Sequence, residues 1–204
     1  MNPAVIVPTY FTAPTRKRGV PSDLYDHPTP LNMTGTLARC LDSLSHVRGL
    51  GQVILLVAAE GGNDVADQAA AQVQEIAAKF PHMHTLVVGR AEAQIVQQRL
   101  EQLGFGDQSH AIGLEGCSSI RNLGLVLAQV LGFDAVVFVD DDEVIDDEAF
   151  LEKAMYGLGS SPRRAFPSLP SRASTSTTRA RTFPRARSAG TTTSGSRAAP
   201  STTG

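Results

Sequence analysis

The sequence has only two cysteines, Cys40 and Cys117, among its 204 residues. Two thiols are too few for a disulfide framework, and these two do not have the spacing of a metal-binding pair. We therefore expect both to be small core-like residues. Long apolar runs are also missing. No run approaches the roughly 20 residues that a membrane-spanning helix needs, and nothing resembles a signal peptide, so the cytoplasm is the expected location.

Acidic residues and lysine are missing from the last part of the chain. No Asp, Glu or Lys follows residue 159, whereas eight arginines do. The tail therefore carries +8, and because the whole chain carries −2, the part before it carries −10. This contrast predicts one domain over residues 1–158 and a low-complexity basic tail over residues 159–204. An apolar content of 42% is enough to give that domain a core.

The tail consists almost entirely of Ser, Thr, Arg, Ala, Pro and Gly. Such a segment cannot bury enough apolar surface to fold, so we predict that it is disordered. An arginine-rich disordered tail can bind nucleic acid. However, these residue types are also what a GC-rich gene yields when it is read out of frame, and shifting the frame over residues 173–182 permits a strand-and-turn phrase.

Our hypothesis is that the reading frame slips near Gly159 and that the second half of an ancestral protein is lost. Nucleic acid is then not the expected partner. Sequencing the source locus tests the hypothesis, because an intact single frame with no better-folding alternative would refute it.

Short apolar runs alternate with segments of helical periodicity along the first 158 residues. The predicted strands are residues 4–7, 53–59, 85–89 and 135–139. Pro8 is expected to stop the first strand. This alternation is typical of an α/β fold with a doubly wound, mainly parallel sheet and helices on both faces. The proline-containing loop over residues 11–32 is expected to lie over the mouth of a site.

Four helices are predicted in detail from their apolar spacing, and three of them have an expected polar N-cap. The expected N-caps are Thr34, Asn63 or Asp64, and Ser118 or Ser119. The residues expected to face inward on the two later helices are Ile95, Val96, Leu100 and Leu103, followed by Ile120, Leu123, Leu127, Val130 and Leu131.

The most informative stretch is residues 135–146, which read AVVFVDDDEVID. Its apolar start is typical of a buried central strand, and four acids follow at once. Ligands of open α/β sheets bind just past the carboxyl ends of the strands. Since adjacent carboxyl groups repel one another, a divalent cation is the simplest way to hold them together, which indicates a metal site at Asp140 and Asp142, with Glu143 as a further candidate. A solvated acidic turn that caps the next helix is the alternative.

Four motifs follow one another in the chain: AVIVPTY, VAAEG, SSIRNLGL and VVFVDDDEV. Together they resemble the nucleotide-diphosphosugar half of a family 2-like glycosyltransferase with the GT-A fold, over residues 4–158. The resemblance implies a Rossmann-like domain that transfers a sugar from a UDP- or GDP-type donor to an unknown acceptor. It also implies Mn²⁺ or Mg²⁺ as the cofactor.

The resemblance assigns roles to residues at matching positions. Asp140 and Asp142 match the acids of the aspartate (DXD) motif, so both are candidate catalytic residues and metal ligands, and Asp140 is also expected near the ribose. The other residues expected to bind the nucleotide sugar are Thr9 and Tyr10 at the base and ribose, Glu60 at the base, Arg121 and Asn122 near the diphosphate, and Asp141. The acceptor site and catalytic base of such enzymes would follow residue 159, so binding without turnover is one expected outcome.

Two other functions fit parts of the sequence. A sugar nucleotidyltransferase shares the predicted topology and metal, but the stretch PTYFTAPTRKRG is a poor match to its glycine- and arginine-rich loop. A non-catalytic Rossmann-like protein with a nucleic-acid-binding basic tail is the alternative outside enzymes.

Overall fold

The computed structural model describes residues 1–14, 25 and 27–158. The strands are β1 Pro3–Thr12, β2 Thr29–Pro30, β3 Gln52–Glu60, β4 His84–Val88 and β5 Ala135–Phe138. The helices are α1 Leu37–Leu44, α2 Asn63–Ala77, α3 Arg90–Gln102, α4 Gly106–Ser109, α5 Cys117–Val130 and α6 Phe150–Ala154. The predicted disordered tail and residues 15–24 and 26 of the predicted loop lie outside the described residues. No helix in the described ranges has the length and apolar content needed to cross a membrane.

The strand pairings of the described residues are all parallel. One edge of β1 pairs with β3, which pairs in turn with β4. The other edge of β1 pairs with β5 along Pro3–Ile6, and with β2 further along at Phe11 and Thr12. The sheet order is therefore β4, β3, β1, β5, and the prediction of an α/β fold with a mainly parallel sheet is confirmed.

Both faces of the sheet carry helices, as predicted. Successive residues of a strand point to opposite faces. Val5 and Val7 of β1 pack in one core cluster with apolar residues of α1, α2 and α6, whereas Ala4 and Ile6 pack in the other with residues of α3 and α5. Because β1 and β3 are covered on both sides, their apolar residues form unbroken runs rather than alternating with polar ones.

The prediction that Pro8 stops the first strand is wrong, because β1 continues to Thr12. The carbonyl of Ile6 accepts a hydrogen bond from Val139, on the β5 side of β1. Since residues two apart in a strand point the same way, the nitrogen of Pro8 also points to that side, where the β5 ladder has already ended at Ile6. The missing N–H therefore removes no pairing with β3.

The strand β5 is less central than its apolar sequence predicts. All four of its residues are only partly buried, and β1 is its only strand partner in the described part of the chain. An apolar run indicates a strand that is suited to burial, but its place in the sheet depends on which other strands pair with it.

The predicted N-caps are also wrong. The helices α2 and α5 follow Gly62 and Gly116, whose φ angles are 95° and 81°. Glycine adopts such positive φ angles without strain, so the chain turns sharply into each helix before the expected polar caps are reached. The first helix has Thr36 rather than Thr34 at its N-cap.

Several residues that were predicted to face inward are exposed. Ile95 is 65% exposed, Leu103 54% and Val130 76%. In α3 the side that faces the sheet is centred on Ala93, so Ile95 lies outside the packed side of the helix. Alanine is small and only weakly apolar, so the apolar spacing of the sequence does not mark it as the centre of this side. Cys40 is buried as expected, whereas Cys117 is exposed at the start of α5.

Gly124 allows α5 to lie close against the sheet. A Cβ atom at this position would lie 2.9 Å from Cδ1 of Ile6 and 3.3 Å from Cδ1 of Leu56. This close approach fixes the height of α5 above β1 and β3. It thereby sets the position of Arg121, which lies one turn earlier on the same helix.

Candidate functional site

The strand order reverses between β1 and β5. The chain builds the sheet from β1 outward to β3 and β4, and then returns to place β5 on the opposite edge of β1. In open α/β sheets this switch point, beyond the carboxyl ends of the strands, is where ligands bind. Here β5 stops opposite Ile6 and β2 begins opposite Phe11, so the residues of β1 between these two points face the segment that follows β5. The acidic residues 140–143 lie in this segment.

Thr9 connects β1 to the acidic segment. Its side chain is 1% exposed, and its hydroxyl donates a hydrogen bond of 2.5 Å to Oδ2 of Asp141. Burial raises the pKa of the Asp141 carboxyl from 3.8 to about 6, the hydrogen bond from Thr9 opposes this rise, and the charges of Asp142 and Asp140 add to it. Asp141 is therefore held inside the protein rather than directed to solvent.

Glu143 is also engaged within the protein. The backbone N–H of Asp140 donates to Oε2 of Glu143 at 3.2 Å, and the backbone N–H of Glu143 donates to the carbonyl of Asp140 at 3.0 Å. These two bonds close a turn over residues 140–143. The Glu143 carboxylate therefore satisfies a backbone N–H group, a role that the other three acids do not share.

Arg121 provides the positive charge next to the turn. Its Nη2 lies 3.7 Å from Oδ1 of Asp140, and its guanidinium carbon lies 6.0 Å from the ring centroid of Phe138. Both partners of this ion pair are about half exposed, at 45% and 54% of their side-chain surfaces, so the pair itself contributes little to stability. The exposure leaves both groups accessible to a ligand in the crevice.

The four acids thus divide into two kinds. Asp141 accepts a hydrogen bond from Thr9, and Glu143, although exposed, accepts one from the backbone N–H of Asp140. The side chains of Asp140 and Asp142 are exposed, and these two acids are the ones that the sequence assigned as metal ligands and catalytic residues. The sequence alone left open whether Asp141 or Glu143 is also a ligand, and the hydrogen bonds favour a structural role for both.

Tyr10 extends the site along β1. Burial raises the pKa of Tyr10 to about 12, Cys117 adds to the rise, Arg121 opposes it, and Asp140 and Asp141 add smaller contributions. The Tyr10 phenol is therefore electrostatically coupled to Arg121 and to the acidic turn. The Tyr10 ring packs against the Tyr25 ring, with the centroids 4.9 Å apart.

Two of the predicted nucleotide-sugar residues lie apart from the acidic turn. Glu60 is at the carboxyl end of β3, in register with Thr12, so it lies three residues further along the sheet than Thr9, or roughly 10 Å. The side chain of Asn122 donates to the carbonyl of Ala111 at 2.9 Å. The described contact of Asn122 is therefore with the segment before α5.

Sequence analysis missed the residues that support the site. Tyr25 is buried, and its hydroxyl donates to the carbonyl of Leu114 at 2.5 Å, which connects the long loop to the segment before α5. Arg39, Cys40 and Ser43 of α1 contact the backbone of the acidic segment. No local pattern indicates these contacts, because they join residues that are about 100 positions apart.

The carboxylates at the turn fit a cation that takes some of its ligands from the protein and the others from substrate and water. Within residues 1–14, 25 and 27–158, no three His, Cys, Asp or Glu side chains converge in a way that could hold a metal ion. Mg²⁺ is usually held by one or two carboxylates together with substrate phosphates and water, rather than by a protein cage. Two exposed carboxylates on one turn match this mode of binding.

We found no significant match to the chain among protein-family models, curated proteins or solved structures.

Proposed function

We propose that this chain binds a nucleoside diphosphate sugar, with UDP or GDP as the nucleotide, and that it serves metal-dependent transfer of the sugar to an acceptor. The observation that carries the proposal is the arrangement at the strand switch point. Two exposed carboxylates, Asp140 and Asp142, lie there; Asp140 is beside the guanidinium of Arg121, and Thr9 holds the intervening acid. This combination of groups suits a diphosphate and a divalent cation together.

Each residue has a physical role in this proposal. When bound, Mn²⁺ or Mg²⁺ would neutralise the charge that the diphosphate gains as the sugar leaves. Asp140 and Asp142 would hold the cation, and Arg121 would donate to a phosphate oxygen in place of its present partner. Thr9 keeps the turn against β1, so the two carboxylates keep a fixed position relative to the sheet.

Tyr10 and Glu60 would define the nucleoside side of the site. Both lie toward the carboxyl ends of neighbouring parallel strands. A base lying across these strand ends would meet the phenol of Tyr10 and the carboxylate of Glu60. A carboxylate accepts hydrogen bonds from base or ribose donors, which UDP and GDP both offer.

The test is calorimetric titration of the purified chain with UDP and with GDP, each in the presence and absence of Mn²⁺. We expect metal-dependent binding of at least one nucleotide by the unchanged chain, and loss of that binding in an Asp142→Ala variant. An Asp146→Ala variant is the matched control, because it removes an exposed acid four residues away and should bind normally.

The two variants carry the same change in charge, so a difference between them reports the position of the carboxylate rather than the net charge. A folded chain that binds neither nucleotide in the presence of Mn²⁺ would overturn the proposal.

A further inference from the structure

Helix α1 presents three side chains to the acidic segment. Ser43 lies four positions after Arg39 and three positions after Cys40, so the three side chains lie on one side of the helix. The leucines of the same helix, Leu37, Leu41 and Leu44, are buried in the core. The helix is thus anchored by its leucines, while Arg39, the buried Cys40 and Ser43 contact the segment that carries the acids.

Each of these side chains contacts the backbone of the segment rather than a carboxylate. Nη2 of Arg39 donates to the carbonyl of Asp142 at 3.2 Å, and Sγ of Cys40 donates to the carbonyl of Asp140 at 3.8 Å. Oγ of Ser43 accepts from the N–H of Ile145 at 3.0 Å. The contacts therefore fix the main chain at three points and leave the carboxylates of Asp140 and Asp142 available.

Ser43 is itself oriented by the helix. Its hydroxyl donates to the carbonyl of Cys40 at 2.7 Å, so its proton is committed within α1 and its lone pair is directed to Ile145. Thr9 holds the turn from the opposite side through the Asp141 side chain. The acidic turn is consequently held between β1 and α1, two elements that are both packed in the core.

We propose that Ser43 and Arg39 are positioning residues that set the orientation of the Asp140 and Asp142 carboxylates for a divalent cation. This inference rests on the proposed function. Neither residue acts by contacting the ligand; Arg39 acts through the backbone of the acidic turn, and Ser43 acts through the backbone of Ile145, two residues after it. Partners that orient metal ligands in this way typically change metal affinity by about 10-fold or more when they are removed.

The experiment measures the Mn²⁺ concentration that gives half-maximal binding of UDP or GDP, whichever the unchanged chain binds. We expect Ser43→Ala to raise this concentration by about 10-fold while the chain remains folded, and Ser43→Thr, which keeps the hydroxyl, to restore it. Ser45→Ala is the matched control. Ser45 lies two residues further along, and its hydroxyl contacts Asp42 and His46 rather than the acidic segment, so its removal should leave the Mn²⁺ requirement unchanged.

A second variant at Arg39 should leave the core undisturbed, because the Arg39 side chain is exposed. Arg39→Ala should also raise the Mn²⁺ requirement. Arg99→Ala is its control, since Arg99 is exposed and contacts Gln102 on α3, so the same charge is lost away from the turn.

The outcomes separate the two proposals. Metal-dependent binding by the unchanged chain, with the same Mn²⁺ requirement in Ser43→Ala, Arg39→Ala and both controls, would overturn the positioning role alone. Absence of metal-dependent binding by the unchanged chain would overturn the proposed function, and this inference with it. A higher Mn²⁺ requirement in Ser43→Ala and Arg39→Ala, but in neither control, would support both.

Discussion

The hydroxyl of Thr9 donates a hydrogen bond to the carboxylate of Asp141, a residue 132 positions away in the sequence. The bond connects β1 with the segment that follows β5. It therefore connects the two elements between which a ligand would bind, and it fixes the height of the acidic turn against β1.

Replacing Thr9 by Val should destabilise the protein. Valine has the same shape but no hydroxyl, so the partly buried Asp141 carboxylate would lose its donor, at a cost of about 1–3 kcal/mol in the free energy of unfolding. Thr9→Ser, which retains the hydroxyl, should lose less. Urea denaturation at neutral pH measures both variants, and a Thr9→Val protein as stable as the unchanged chain would show that the bond contributes nothing.

Gly124→Ala should destabilise the packing of α5 on the sheet. The new methyl group would lie 2.9 Å from Cδ1 of Ile6, so we expect a loss of about 1–3 kcal/mol despite the better helix propensity of alanine. Gly106→Ala is the control, because a Cβ there meets nothing within 4 Å.

A second substitution checks the cause of that loss. Ile6→Val removes the Cδ1 atom that the new methyl group would contact, so the double variant should be more stable than the sum of the two single effects predicts. Strict additivity would show that the contact with Ile6 is not responsible.

Tyr10 and Tyr25 should make stability fall at alkaline pH. Burial raises the pKa of each phenol from 10.0 to about 12 in the folded protein. Below pH 10 both phenols are protonated in the folded and the unfolded state, so their contribution to the free energy of unfolding is complete. Between pH 10 and about 12 the unfolded state releases these protons first, and the free energy of unfolding declines.

Phenolate absorbance measures this directly in a Tyr156→Phe variant, which removes the only other tyrosine, a side chain that is 90% exposed. We expect little phenolate in the folded variant at pH 10.0 and a rise toward pH 12, whereas denaturant should move both groups back to about 10. Half-titration at pH 10 in the folded protein would contradict the burial of both rings.

The two thiols should differ in reactivity. Cys117 is exposed, whereas Cys40 is 1% exposed and burial raises its pKa to about 12, with Asp141, Glu143 and Asp142 adding to the effect. A thiol-specific disulfide reagent should therefore modify one cysteine in the native protein and both after denaturation. Cys117→Ser should abolish the native reaction, and modification of Cys40 at a similar rate would show that α1 does not shield it.

The sheet was predictable because its signal is local. The apolar runs that became β1 and β3 are buried on both faces, and such strands show themselves as short unbroken stretches of Val, Ile and Leu. The partial burial of β5 was not predictable from its own residues, since it reflects which strands pair beside it. The helix starts at Gly62 and Gly116 were missed because a glycine with a positive φ leaves no polar side chain to mark the cap.

The candidate site was predictable only in part for a similar reason. The acids of residues 140–143 are adjacent in the sequence, so their clustering needs no fold to detect it. Which of these carboxylates accept hydrogen bonds from Thr9 and from the backbone of the turn depends on the fold, which no spacing rule contains. The contribution of Ser43 was hidden because a serine within an amphipathic helix gives no sign of a distant backbone partner.

The pairing of β1 with β5 also has a consequence for how the protein forms during synthesis. The strand β1 cannot complete its pairing on this edge until residues 135–138 have been made. Contacts between such distant positions are slow to close, because the loop entropy must be overcome before the contact contributes. A nascent chain that stops before this point would have β1, β3 and β4 but would lack the acidic turn, so ligand binding would report on completion of β5.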